Sequence, residues 1–182
     1  MSEMREQILD LAEVLIRSKG YNAFSYKDIS TPLEVKNAAI HYHFPTKADL
    51  GKAIIDRTME KFAVEKVNWS VLPPLKQLEA FIGIYDKSYA SKLACFMGAM
   101  GSAYETFPPK MQESLTAASQ EIRVWLREVF ENGRKLGNFN FKGEASDKAD
   151  EVVSALLSSL ILSRVTKENV LATVKRSILE NI

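Results

Sequence analysis

The side chains of residues 25–47 are those whose types and spacing point to chemistry. Lys36, Asn37, His41 and Tyr42, with the small Ala38 among them, fall on a short helical segment, and Ser25, Tyr26, Lys27 and Lys47 flank it. Amide, imidazole, phenol and ammonium groups at the start of a helix suit base edges in a DNA major groove. Hydroxyl and ammonium groups beside them suit phosphate oxygens, which set register without reading sequence. The chemistry of this set is recognition, not bond making. A surface helix pair of any helical protein is the plain alternative for the same segment.

Other chemistries find little support. His41 and His43 are the only 2 histidines. Two residues apart on a helix they point about 200° from each other, so they cannot share a metal. His43 reads as a packing or capping residue. No Cys/His cluster has zinc spacing, and no glycine-rich phosphate loop is present. A Cys–His nucleophile pair would need Cys95, the single cysteine, beside a histidine of the 25–44 segment, which the order of helices argues against. No catalytic set, cofactor or metal is expected, and the chain reads as not an enzyme. Cys95 is placed in a small-residue helix, Ala94–Ala103, as a packing group, with a thiol sensor as the alternative.

The positioning elements are helical throughout. The chain has 182 residues, 46% of them hydrophobic, which suits a globular fold. Its 24 basic and 23 acidic residues leave a net charge of +1, so a DNA reading rests on local pattern alone. No apolar run reaches the ~20 residues that span a bilayer. The start, Met1-Ser2-Glu3-Met4-Arg5-Glu6, lacks the apolar stretch of a signal peptide, and a cytoplasmic location without membrane association is expected.

Ile8, Leu9, Ala12, Leu15 and Ile16 recur at helical spacing, and Gly20 follows as an expected left-handed C-cap. Ser25 with Asp28 resembles a capping box for a short helix to about Leu33, in which Pro32 would remove a hydrogen bond. A tight turn leads to a second short helix, about Asn37–His43, which Pro45 ends. Ile29, Leu33, Ala39, Ile40 and Phe44 face inward and Val35 plugs the turn. Thr46 can cap a connecting helix, about Lys47–Val67, followed by a linker, Asn68–Ser70. Further helices are expected over about Leu75–Tyr89, within Ser91–Tyr104, and over Lys110–Leu136, Ser146–Arg164 and Lys167–Asn181. Residues 137–143 read as a loop. The expectation is an all-α chain of about nine helices: a helix-turn-helix domain, 1–46, joined through the connecting helix to a second domain, 47–182.

Residues Arg5–Leu50 resemble the N-terminal domain of the TetR/AcrR family of bacterial regulators. The resemblance lies in Ile8-Leu9, Ala12, Gly20-Tyr21, Phe24-Ser25, Ile29, Val35, and most specifically in Ile40-His41-Tyr42-His43-Phe44-Pro45-Thr46-Lys47 with Leu50. Ala94-Cys95-Phe96-Met97-Gly98 with Glu105 is similar to a signature of one subset of the family. The resemblance implies that Lys47, Ser25 and Tyr26 meet phosphate and that Lys36, Asn37, Ala38 and Tyr42 lie in or beside the major groove. Some positions depart from the pattern. Glu34 stands where the turn usually has glycine, at roughly 1–2 kcal/mol if left-handed. Pro32 falls late in a helix, and His41 replaces a usual tyrosine. Lys27, Lys36, Lys47 and Lys52 are offset by Asp28, Glu34 and Asp49, so non-specific binding is expected to be modest.

The resemblance also implies a small-molecule pocket between the connecting and long helices, for an apolar or aromatic effector. Phe62, Trp69, Phe81, Tyr85, Cys95, Met97, Met100, Tyr104, Met111 and Trp125 are its candidates, although core packing alone would explain each. Glu105 and Gln120 are added as polar candidates. The last two helices are apolar on more than one face. Val153, Leu156, Leu157, Leu160, Ile161, Val174 and Ile178 could build an interface between two copies, with wholly internal helices as the alternative, and the resemblance favours a two-fold homodimer. Such a dimer would set two recognition helices ~34–36 Å apart on a palindromic double-stranded operator. The function expected is a repressor released by its effector. The alternative is a helical ligand-binding dimer without DNA binding.

Overall fold

Helix α1 (Glu3–Lys19) forms where the sequence alternates a buried stripe with charge: Ile8, Leu9, Ala12, Leu15 and Ile16 are buried on one side, and Glu3 and Glu6 sit at its N-terminal end. The computed structural model describes residues 3–182; Met1 and Ser2, the first residues of the N-terminal segment considered above, lie outside them. Gly20 ends α1 with φ 100° and ψ 153°. That positive φ needs glycine, but the ψ is extended and not the left-handed helical value expected for a C-cap.

Eight more helices follow among the described residues: α2 (Tyr26–Ser30), α3 (Asn37–His43), α4 (Lys47–Trp69), α5 (Pro74–Ala90), α6 (Phe96–Gly101), α7 (Pro109–Lys135), α8 (Ala145–Thr166) and α9 (Val170–Glu180). Short 3-10 helices cover Tyr21–Ala23 and Tyr104–Thr106. The all-helical class is as expected, with local corrections. Pro32 lies in the turn after α2 and not inside a helix. A proline there cannot continue the helix, so the chain stops at Ser30. Asn68 and Trp69 belong to α4 and not to a linker, because Trp69 buries its ring and holds the last turn in place. Cys95 precedes α6 instead of lying within a helix, since Lys92 turns left-handed at φ 56° and breaks the run.

The chain divides into two compact units: residues up to Phe62 with Phe96–Ala118, and Ala63–Cys95 with Ser119–Ile182. Helices α4 and α7 each pass from one unit into the other. This division by packing differs from a boundary at 46/47, because α6 and the first turns of α7 group with α1 and the head.

In the first unit Ile8, Leu9, Ile16, Ile29, Ile40, Leu50, Ile54 and Ile55 are buried to within 1%. Each such side chain contributes roughly 1.5–3 kcal/mol over exposure. In the second, Phe130 meets Phe139 and Phe141 at 5.7 and 5.4 Å between ring centroids. This seats the 137–143 loop against α7, and the Gly133 carbonyl accepts from the Asn138 and Phe139 amides. Helix α8 packs on α9 and α5, which buries Leu156, Leu160 and Ile178 inside the unit. These three, candidates for a dimer interface in the sequence, are core residues of the single chain: the pattern could not tell a face covered by α5 and α9 from one left open.

Candidate nucleic-acid interface

Two capping carboxylates fix where α2 and α4 begin. The Ser25 N–H and hydroxyl both donate to the Asp28 carboxylate at 2.8 Å, and together they hold its carboxyl below the usual range. Thr46 repeats the arrangement: its N–H donates to Asp49 at 2.9 Å, and the Asp49 N–H donates to the Thr46 hydroxyl at 3.1 Å. These reciprocal boxes satisfy orphan helix-start donors.

Between them the turn closes as a helix-turn-helix. The Leu33 N–H donates to Ile29 and the Val35 N–H to Ser30, at 3.3 and 3.0 Å. Glu34 sits at φ 54°, so it does occupy the left-handed position that glycine would take without strain. Ile29, Ile40 and Phe44 are buried as expected, while Leu33, Val35 and Ala39 are only half-buried. The Tyr26 hydroxyl donates to the Phe44 carbonyl at 2.8 Å, tying α2 to the end of α3. Arg5 of α1 covers the Phe44 ring at 5.1 Å.

Helix α3 leaves Lys36, Asn37, Ala38, His41 and Tyr42 exposed, with Tyr42 at 84%. The Asn37 carbonyl oxygen accepts from the Ser30 hydroxyl, which leaves the amide N–H groups as the outward donors. His41 Nδ1 lies 3.1 Å from the Pro45 carbonyl, and its ring meets Tyr26 edge-on at 4.7 Å. Ser25 and Lys27 are exposed beside this face.

Two members of the expected set are placed differently. Tyr26 is 8% exposed and its hydroxyl is engaged. Lys47 is half-buried: its ammonium lies over the Phe24 and Tyr21 rings, 4.2 and 4.9 Å from their centroids, and donates to the Phe24 carbonyl. That burial lowers its pKa. The resemblance implies phosphate contacts for both residues, and both hold the head together here. Desolvation raises Tyr21 and Tyr26 to about 12, with the Asp49 charge adding to it.

The ten effector-site candidates divide between the units. Trp69, Phe81, Tyr85 and Trp125 form one aromatic cluster, with centroids 5.5–5.7 Å apart from Trp69 to Trp125, Phe81 to Trp125 and Phe81 to Tyr85. Cys95, half-buried, hydrogen-bonds to Tyr85, whose pKa is raised by burial and then by this thiol. Phe62, Met97, Met100, Tyr104 and Met111 fall in the first unit. Met111 is 1% exposed and packs against Gly51 and Tyr21, where an added Cβ on residue 51 would meet it at 2.5 Å. The Tyr104 hydroxyl is 3.1 Å from that of Thr116. Glu105 and Gln120 are exposed.

One ion cluster escaped the sequence reading. Arg57 of α4 bonds Glu6, Asp10 and Glu13 of α1 at 3.3, 2.7 and 2.9 Å. The spacing of positions 6, 10 and 13 puts the three carboxylates on one helix face, but it does not name the cation that meets them.

The family "Bacterial regulatory proteins, tetR family" matches residues 8–54. A TetR transcriptional regulator of Legionella pneumophila is 31% identical, with 100% of this chain and 98% of that one covered and a TM-score of 0.89. The chain belongs to the TetR family of transcriptional regulators. A second TetR-family structure, from Agrobacterium tumefaciens, is 28% identical over 98% of this chain and 97% of that one, with a TM-score of 0.89. The biofilm operon icaADBC HTH-type negative transcriptional regulator IcaR of Staphylococcus epidermidis is 29% identical over 59 residues, a match spanning 32% of this chain and 32% of that protein. The TetR family comprises DNA-binding regulators and not enzymes, and the exposed face of α3 is this chain's helix-turn-helix surface.

Proposed function

We propose that this TetR-family chain is a ligand-responsive repressor. Two copies bind a palindromic operator as a two-fold homodimer, and a small apolar or aromatic effector releases them. The observation that carries the reading is the face of α3, where Lys36, Asn37, Ala38, His41 and Tyr42 stand exposed on a helix anchored from behind by Ile40 and Phe44. The 1–46 segment supplies DNA contacts, with Lys27 and Lys36 as exposed cations, and Lys47 at the start of α4 adds a phosphate contact after leaving the Phe24 carbonyl. Residues 47–182 supply the rest.

Repression is supported by the matched curated relative, a negative transcriptional regulator. Dimerisation is supported by an apolar strip on α8, where Ile161, Leu162 and Val165 are 51, 48 and 73% exposed. Val153, Leu157 and Val174 are half-buried candidates for the same interface. The Trp69–Phe81–Tyr85–Trp125 cluster is the site proposed for the effector, mostly apolar with one polar group. Because α4 runs continuously from the recognition head into the unit holding that cluster, an effector that favours one position of α4 shifts the population of DNA-competent dimers. The site of action is the cytoplasm; no helix among the described residues is long and apolar enough to cross a membrane.

The test is selection of bound duplexes from random sequence with the full chain, followed by Tyr42→Ala and Lys36→Ala. A palindromic consensus is expected. Tyr42→Ala should lower operator affinity about 10-fold, and Lys36→Ala should reduce the salt slope by about 1. Retrieval of no consensus would favour the alternative, a helical ligand-binding dimer without DNA binding.

A further inference from the structure

Three residues outside glycine have positive φ among the described residues, and two of them are lysines at the same cavity. Lys92 (φ 56°) follows α5 and Lys167 (φ 64°) follows α8. Both line a cleft of about 540 Å³ in the second unit, with Arg164 as a third cation and no acidic residue on its wall. Leu93 and Leu160 supply apolar wall, and buried Ser163 adds a hydroxyl. Arg164 spans the cleft to donate to the Lys92 carbonyl at 3.3 Å.

The left-handed conformation costs a non-glycine residue roughly 1–2 kcal/mol, and glycine is the usual residue just past a helix end. Lysine at both positions therefore trades backbone strain for placement of a cation. Favourable interaction with the helix C-termini does not require it, because a cation anywhere in the last turn serves that purpose. Nor do the two helix ends consume the charge. Each carries about half a negative charge, so the two lysines alone leave a surplus of about one. A cleft that joins surplus positive charge to apolar walls fits an anion with a hydrocarbon body. Its volume falls within the ~300–1,000 Å³ of small-molecule sites.

We propose that this cleft binds a small amphiphilic carboxylate, with its head between Lys92, Arg164 and Lys167 and its chain against Leu93 and Leu160. The site is separate from the aromatic cluster proposed above for the effector, and it stands or falls without reference to DNA binding.

Calorimetric titration of the full chain with decanoate tests it, with acetate and decyltrimethylammonium as probes lacking the tail or reversing the charge. Saturable decanoate binding is expected, with neither control matching it. The K92G/K167G variant should bind at least ~10-fold more weakly while its thermal midpoint holds or rises, since glycine relieves both left-handed positions. The K92Q/K167Q variant keeps the strain, removes the charge and should lose binding equally. The proposal is overturned if decanoate does not bind the parent, or if decyltrimethylammonium binds as well as decanoate. It is also overturned if both variants keep the parent's affinity and only lose stability, the result for lysines that merely cap helices. Dissociation of the variants into monomers, with decanoate inert on the parent, would assign the cleft to contact between copies and overturn it too.

Discussion

The Tyr26 hydroxyl donates to the Phe44 carbonyl at 2.8 Å, joining the first residue of α2 to the residue that ends α3. This one bond spans the helix-turn-helix from entry to exit. It makes Tyr26 a structural tie of the recognition unit, although the family resemblance implied a phosphate contact.

Tyr26→Phe should therefore act on stability first. It leaves the Phe44 carbonyl without its donor inside the head, at roughly 1–2 kcal/mol. Urea unfolding should show that loss, while operator affinity of the folded protein changes less than it does for Tyr42→Ala. An unchanged midpoint would mean that water replaces the phenol at no cost.

Alkaline pH probes the same residues. Tyr21 and Tyr26 hold their protons up to about 12 in the fold, against about 10 in an unfolded chain. Between these values the unfolded state has released protons that the native state keeps, so the stability contribution is complete below about pH 10 and is lost as pH rises through about 12. The limiting slope is about 1.4 kcal/mol per pH unit for each tyrosine. Urea midpoints at about pH 9 and about pH 11 should fall accordingly, and Tyr26→Phe should make the fall shallower.

Glu34 carries the strain of a left-handed turn residue at φ 54°. Glu34→Gly should stabilise the chain by about 1 kcal/mol, raising Tm by about 2–4 °C. Glu34→Ala keeps the strain and should not. Removal of an anion from the turn should also strengthen binding to any duplex at low salt. Equal Tm values for the two variants would show that the turn relaxes around a side chain.

Arg57, with its side chain 10% exposed, faces three carboxylates of α1. Arg57→Met removes its bonds to all three, but Asp10 and Glu6 are 71 and 37% exposed to water and Glu13 keeps Arg17 at 3.1 Å, so the cost should be roughly 1–3 kcal/mol. Arg57→Lys should recover only part, because one ammonium cannot serve three partners with a planar fork. Thermal unfolding of the two variants measures the difference.

Two glycines should respond oppositely to one methyl group. A Cβ on Gly133 would lie 2.0 Å from the Phe139 ring, whereas Gly83 has nothing within 4 Å. Gly133→Ala should destabilise by about 1–3 kcal/mol through overpacking under the 137–143 loop. Gly83→Ala, inside α5, should stabilise by about 0.5–1 kcal/mol. Calorimetric midpoints that moved in the same direction would contradict this.

Helix existence and order were legible in the sequence because they follow from local causes. The stripe of Ile8, Leu9, Ala12, Leu15 and Ile16, the caps at Ser25 and Thr46 and the stop at Pro45 act within a few residues of themselves. The resemblance in Ile40 to Lys47 added the family. Long-range partners were not legible. Nothing local says that Arg57 meets Glu6, Asp10 and Glu13, or that Lys92 and Lys167 share a cleft. Nor could periodicity assign Leu156, Leu160 and Ile178 to the core and leave Ile161 and Val165 outside. More than one face of α8 is apolar in composition, and only the arrival of α5 and α9 decides which is covered.

The helix-turn-helix shows the same division. By itself the sequence determined its elements, its buried residues Ile29, Ile40 and Phe44, and its outward set from Lys36 to Tyr42, since a 3.6-residue repeat fixes which side chains share a face. Only the tertiary structure decided that Tyr26 and Lys47 turn inward. Their polar ends meet the Phe44 and Phe24 carbonyls, 18 and 23 residues distant along the chain, and bonds across that separation exist only once the helices have packed.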